Sequence, residues 1–255
     1  ICTFTVENSR RPKFKGGYIR LSAFRGAARQ APKTLEAIRN PNCGWFHRAS
    51  AEDFEKIPGS PVAYWVNRRI FELYDHGEHV GQRAKKGLTT GDNERFLRSW
   101  FEVKNTNLSQ FGGKRWFPTQ KGGEFRRWYG NFESVLNWEN DGREIKNFKF
   151  PDGRLRSVIR NEIFYGRSGV TWTDVSSGKL SMRFVPEGFV FNASGPTIYS
   201  ESDDAVLSFM NTKIVERVAE FLSPTLHFEV GQIQSYPLLN APHSAKDCAR
   251  ELRAI

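Results

Sequence analysis

The sequence predicts an α+β fold, a curved mixed sheet of largely antiparallel strands flanked by helices, and three observations carry that prediction. Short β-branched and aromatic runs separated by Gly and Pro turns fill the middle of the chain, as in "GVTWTDVSSGKLSMRFVPEGFVFNASGPTIYS" (169–200). Apolar residues at helical spacing lie before and after that region. With 255 residues, 38% of them hydrophobic and 14% aromatic, the chain carries enough apolar surface for a packed core, which excludes disorder.

Taken in order, "CTFTV" (Cys2–Val6) and "GGYIRLSAF" (Gly16–Phe24) read as the two strands of a hairpin with basic punctuation between them. Its outer edge would lack a partner, as expected of the tail of a preceding sheet or of an independent edge hairpin. The start at Ile1, without the charged opening of a signal peptide, suggests part of a longer chain. "KTLEAIRN" (33–40) is a short helix ended by Pro41. In "FEKIPGSPVAYWVNRRIFELYDHG" (54–77), Ser60 reads as an N-cap and Pro61 as the first helical position. Ala63, Val66, Ile70 and Leu73 would share one face, Gly77 would close the helix, and His76 and His79 would cap its C-terminus. "SPVAYW" is superficially like the NPPY motif of amino methyltransferases, but it lacks the second proline and capping explains its residues.

Between Lys86 and Val103 a Gly91-Asp92-Asn93 turn would present two polar side chains at its tip. Ser134–Trp138 is an apolar strand, and the Asp-Gly pairs at 141–142 and 152–153 mark turns. Val206, Leu207, Met210, Ile214, Val218 and Leu222 keep helical spacing through one or two helices. "HFEVGQIQSYPLL" (227–239) reads as a strand and turn, and 243–255 as a last helical piece. The helices starting near Pro61 and Val206 are expected to pack on one face of the sheet.

Charge narrows the partners. Thirty-eight Lys and Arg against 28 Asp and Glu leave a net +10, the balance of a protein that meets polyanions. No run of about 18 apolar residues and no basic amphipathic helix supports a membrane partner. Three widely spaced cysteines form no zinc pattern and read as reduced thiols of a cytoplasmic protein. Residues 111–160 carry eleven cations and six carboxylates, half the net charge in about a fifth of the chain.

Inside that region "KRWFPTQKGGEFRRWYGNFE" (114–133) admits three readings: a phosphate loop, a nucleic-acid surface or an aromatic hairpin. A Walker loop needs Lys followed by Ser or Thr after a spaced glycine pair, and "QKGGEF" lacks it, as the chain lacks GxGxxG. There is no GxSxG or HExxH, and Asp152 in "PDGRLRS" has no acidic residue and lysine after it at nuclease spacing, so an independent enzyme has little support. The nucleic-acid reading survives: Lys and Arg neutralise phosphates, while Arg and the glutamine of the stretch can address base edges. Trp116, Phe117, Trp128 and Tyr129 would stack on an extruded base or fill the core, and for each single ring the core is favoured.

"GLTTGDNERFLRSWFEV", "WFPTQKGGEFRRWYGNFESVLNWENDG" and "GVTWTDVSSGKLSMRFVPEGFVF", with "KIPGSPVAYWV" and "FEVGQIQSYPLL" in the same order, resemble the PglX family. These are adenine-specific DNA methyltransferases of bacteriophage exclusion (BREX) systems. The resemblance implies a Rossmann-like domain with an S-adenosylmethionine site and an NPPY motif in the full-length protein. Neither motif is in this chain, which resembles the target-recognition region downstream of them. The implied fold is target-recognition-domain-like, with an N-terminal hairpin left over from the methyltransferase sheet. The implied organisation is terminal methyltransferase strands at 1–25, a helical connecting segment at 26–85 and the recognition domain at 86–255. Duplex DNA is the implied partner, with no cofactor in this segment and no methyl transfer by it alone.

On that footing Lys114, Arg115, Lys121, Arg126, Arg127, Arg154 and Arg156 are candidate phosphate or base contacts, and Trp128 and Tyr129 candidate stacking rings. Gly122 and Gly123 would let the backbone turn tightly or approach the duplex, and Asp92 and Asn93 form a second contact loop. The alternative is a protein-interaction module whose aromatic strip docks another phage-defence component or a phage inhibitor.

Overall fold

The first strand, β1 (Lys15–Ile19), pairs antiparallel with β2 (Phe46–Ser50), from Lys15 opposite Ser50 to Ile19 opposite Phe46. The expected hairpin with Cys2–Val6 is therefore not formed: that segment has no strand, and Phe4 and Val6 are exposed. Beside the ladder with β2, Tyr18 of β1 stacks on Tyr64 from the stretch before Arg68, ring centroids 4.6 Å apart. This computed structural model describes residues 2–9, 11, 13–76, 78–176, 178–239 and 243–254. The chain forms two compact units, Ile1–Gly77 and Glu78–Ile255.

In the first unit, α1 (Ala27–Arg39) starts earlier than the expected 33–40 and ends where Asn40 N–H donates to the Glu36 carbonyl, just before Pro41. A capping box between Ser50 and Asp53 starts the short α2 (Ala51–Glu55). The helix expected from Pro61 begins only at Arg68, as α3 (Arg68–His76). Ser60 has φ +45°, outside helical space, and isolated turns from Pro61 to Ala63 and from Ala63 to Val66 follow it. The Asn67 side-chain oxygen accepts from Arg69 N–H, the role assigned to Ser60. The closing Gly77 and the His76 side chain lie outside the described residues, so that part of the expected C-cap is left aside.

The second unit replaces one curved sheet with two four-stranded sheets and a two-stranded pair. Its strands are β3 (Glu78–His79), β4 (Ala84–Lys85), β5 (Leu97–Ser99), β6 (Trp116–Gln120), β7 (Ser134–Asn137), β8 (Gly169–Thr171), β9 (Arg183–Val185), β10 (Val190–Phe191), β11 (Thr197–Ile198) and β12 (Pro237–Leu238). One sheet runs β10-β6-β7-β5, parallel only between β10 and β6; the other runs β4-β11-β8-β9, antiparallel throughout; β12 pairs with β3. Two crossings join the sheets. Leu88 leaves β4 to bridge Asn192, next to β10, and the chain from Asn192 returns to β11. Strands of two to five residues satisfy their backbone groups in separate short ladders.

Around the sheets lie α4 (Asn93–Phe96), α5 (Glu139–Lys146), α6 (Asp203–Met210), α7 (Lys213–Leu222), α8 (Val230–Gln234) and α9 (His243–Ala254). The pair α6 and α7 meets the spacing argument, except that Ile214 faces solvent. Residues 227–239 hold α8 before the strand, because Glu229 and Gln232 form a capping box. Both Asp-Gly pairs turn the chain: Asn140, Asp141 and Gly142 have positive φ ahead of the helical turn of α5, and Gly153 N–H closes on the Phe150 carbonyl at 3.0 Å. The helices expected near Pro61 and Val206 fall in different units, so the single packed face expected of them does not exist within either. Leu88, Phe96, Leu97, Leu136, Trp138, Ile145 and Val190 form the core beneath the basic region. Trp172 is fully buried and its indole N–H donates to the Phe228 carbonyl at 2.7 Å.

Candidate nucleic-acid interface

β6 and β7 pair from Trp116 opposite Asn137 to Pro118 opposite Val135, so 121–133 is the long connection of an antiparallel hairpin. That connection is fastened to its surroundings at several points. Gly122 has φ +88°, and a Cβ there would stand 2.6 Å from the Ser194 carbonyl oxygen. Gly123 has φ +117°, and its carbonyl accepts from Thr173 Oγ1 at 3.1 Å. Gly122 thus approaches the protein's own backbone and Gly123 the Asn131 side chain. Asn131, buried with φ +64°, donates from Nδ2 to the Glu124 carbonyl at 2.9 Å. Trp128 joins the β9 edge: its N–H donates to the Met182 carbonyl and its carbonyl accepts from Phe184 N–H.

Below the connection sits a side chain that sequence reasoning misses. Arg183 is 0% exposed, with Nη2 donating to Thr173 Oγ1 at 3.2 Å and Nη1 reaching the Arg126 carbonyl at 3.4 Å. Its Nε meets no acceptor among the described residues. Burial, and then the charge of Arg126, pushes the guanidinium down to about 10, so it stays cationic at neutral pH. It adds a positive charge under the connection and ties Thr173 to the Arg126 backbone. An arginine in a strand otherwise reading "LSMRFV" is the signal that a buried charge was there to find.

The candidate cations divide by what already holds them. Arg127 is ion-paired with Glu216 of α7, which also takes Lys179 Nζ at 2.8 Å; the Arg127 and Glu216 side chains are only 27% and 21% exposed. Hydrogen bonds from Lys179 and Arg127 hold the Glu216 carboxyl below the ordinary carboxylate range. The stability this adds is present above the unfolded value of about 4.3 and lost as pH falls through the depressed folded value. Glu216→Gln is therefore expected to unfold earlier than the parent at pH 7, with the two converging in acid; thermal melts across pH check it. Arg126 faces Glu133 at 3.5 Å, with both side chains more than half exposed. Lys114 and Lys121 are exposed and have no hydrogen bond or ion pair among the described residues. Arg115 lies at the far end of β6, 3.9 Å from Glu139, so Lys114 and Arg115 are a strand's length from Lys121.

The other candidates converge. Thr89 and Val158 exchange backbone hydrogen bonds at 2.8 and 2.9 Å, and a Cβ on Gly91 would stand 2.5 Å from the Arg156 carbonyl oxygen. Asp92 and Asn93 thereby lie beside Arg156, but as local caps: Asp92 accepts from Arg95 N–H and Asn93 Oδ1 accepts from Thr90 Oγ1. Arg154 is held by Asp152, whose carboxyl that arginine keeps below its usual range. Arg156 lies over two rings, 5.1 Å from Phe148 and 5.4 Å from Phe150. Phe148 and Phe150 were not among the sequence candidates, though "FKFPDGRLR" alternates across an Asp-Gly turn and could have pointed to them.

The rings and the glutamine sort the same way. Trp116 is buried, Phe117 packs on the core and Trp128 is half-buried, while Tyr129 is exposed with its ring edge-on to Phe132 at 4.5 Å. Gln120 is 0% exposed, so it is not a base-reading side chain. Cys2 and Cys248 are exposed free thiols and Cys43 a buried one. Among the described residues no group of His, Cys, Asp and Glu could hold a metal ion, and no helix is long and apolar enough to cross a membrane.

The class of protein so defined is a basic α+β module in which one long hairpin connection, 121–133, and one short ribbon, 148–156, each carry exposed cations. No protein-family model matches it. Over nearly its whole length the chain is similar to a segment of adenine-specific methyltransferases, as its motifs implied. It is 37% identical over 249 residues to the adenine-specific methyltransferase PglX of Lacticaseibacillus casei strain Zhang, covering 92% of this chain and 21% of that protein. It is 38% identical over 219 residues to the adenine-specific methyltransferase BrxX of Escherichia coli O9:H4 strain HS, covering 83% of this chain and 17% of that protein. The chain thus spans about a fifth of the length of these curated relatives.

Proposed function

We propose that this chain is the DNA-recognition part of an adenine-specific DNA methyltransferase of a phage-defence system of the BREX type. It binds duplex DNA in the cytoplasm and positions the target adenine for a catalytic domain elsewhere in the full-length protein. The observation that carries the reading is the similarity to methyltransferases in a segment whose exposed Lys114, Lys121, Arg126 and Arg156 point a net positive surface at solvent. The full-length methyltransferase would use S-adenosylmethionine. The paired glycines Gly16 and Gly17 do not cradle that group, since they lie inside β1 against the Tyr18 and Phe46 rings. No catalytic step is therefore assigned to them.

A second reading, docking of another defence component or a phage inhibitor, draws on Trp100 and Phe101. These adjacent rings are 50% and 68% exposed and lie 5.8 Å apart, edge to face. Salt separates the two. Binding to duplex DNA is expected to weaken log-linearly with salt, with a slope of about −0.9 per phosphate neutralised, and heparin should compete. Binding to DNA that ignores salt, or none at low salt, would reject DNA recognition.

A further inference from the structure

We infer that the ribbon 148–156 is the element that enters a groove of duplex DNA, with Arg156 as its base-reading side chain; this rests on the DNA-recognition reading above. The turn at its tip is closed by Gly153 N–H on the Phe150 carbonyl, and Phe150 N–H and Arg156 N–H donate to the Arg154 and Phe148 carbonyls, each at 2.8 Å. Lys149 bridges Leu155 antiparallel, which sets Phe148 opposite Arg156 and Phe150 opposite Arg154 on one face. The rings and guanidinium groups on that face interleave. Arg95 lies 5.0 Å from the Phe148 ring, Arg156 is 5.1 and 5.4 Å from Phe148 and Phe150, and Arg154 is 5.9 Å from Phe150.

The ladder is rooted in the core and open at its end. Phe148 packs edge-on to buried Phe96 at 5.2 Å, whereas Phe150 is exposed. Arg95 is paired with Glu144 and Arg154 with Asp152, but Arg156 has no carboxylate partner among the described residues. A guanidinium stacked on two rings has its donor fork held in orientation without spending it on an acceptor. That is the state suited to a bidentate contact with guanine, and a two-stranded ribbon fits a major groove about 12 Å wide. The rival element, 121–133, has its Arg127 and Trp128 committed to Glu216 and to β9.

The test uses the 255-residue chain and a duplex pool of random sequence, reading affinity by anisotropy and preference by sequencing the retained duplexes. Arg156→Ala is expected to weaken binding roughly 5- to 150-fold and to flatten preference at one position. Arg156→Lys should restore the salt slope without the preference, because it keeps the charge and loses the fork. Circular dichroism checks that both exposed-site variants stay folded. Arg156 variants that keep parental affinity and preference while Lys121→Ala weakens binding would overturn the ribbon and leave DNA recognition standing. Parent protein that binds no duplex at low salt would overturn both.

Discussion

Gly87→Ala is expected to lower the thermal unfolding midpoint of the second unit by roughly 10 °C, the shift that a loss of about 3–5 kcal/mol produces in a unit of this size. A Cβ at position 87 would stand 2.0 Å from the Phe191 carbonyl oxygen, 2.4 Å from its carbon and 2.8 Å from the Asn192 carbonyl carbon. These are backbone atoms of the crossing between the two sheets, so no side-chain rotation relieves the clash. Relief requires breaking the bonds from Leu88 N–H to the Phe191 carbonyl at 3.1 Å and from Ala193 N–H to the Leu88 carbonyl at 2.8 Å. Calorimetry on the variant decides the matter. An unchanged midpoint would mean that the sheets do not cross here.

Reversing the charge at 127 should destabilise the second unit more than the same change at 126. Arg127→Glu sets a second carboxylate against Glu216 at a site about three-quarters buried, leaving Lys179 as its remaining partner. Losing one partner of such a pair costs about 3 kcal/mol. Arg126→Glu disturbs an exposed 3.5 Å contact with Glu133 that is worth less than about 1 kcal/mol. Urea melts of the two single variants should therefore diverge by about 2 kcal/mol. This separates two causes that a double charge reversal would merge: DNA retention lost with Arg126→Glu alone reports a contact, whereas retention lost only with Arg127→Glu reports a distorted loop. Equal stabilities would remove the anchoring role from Arg127.

Much of the second unit is legible in the order of residues. The spacing from Val206 to Leu222 announces α6 and α7, since one helical stripe must be buried whatever it packs against. Asp141-Gly142 and Asp152-Gly153 announce turns, since positive φ is local chemistry. Ser60-Pro61 shows where local chemistry loses. Its capping signal is good, yet the chain runs irregularly to Arg68, with Tyr64 stacked on Tyr18 and Asn67 providing the cap instead. A cap and a ring contact are each worth about 1 kcal/mol, and this arrangement keeps both, the cap from Asn67 and the stack from Tyr64.

Composition and motif by themselves determined that this is a basic α+β protein similar to adenine-specific methyltransferases, with its cations concentrated between 111 and 160. Only the tertiary structure decided which cations are spent. Arg127 and Arg156 are both arginines of the basic region, each within four residues of a glycine. Glu216, 89 positions away, neutralises the first, while the second stacks on Phe148 and Phe150 and has no ion pair among the described residues. Whether a charge is free depends on partners brought together by folding, and sequence distance does not encode them.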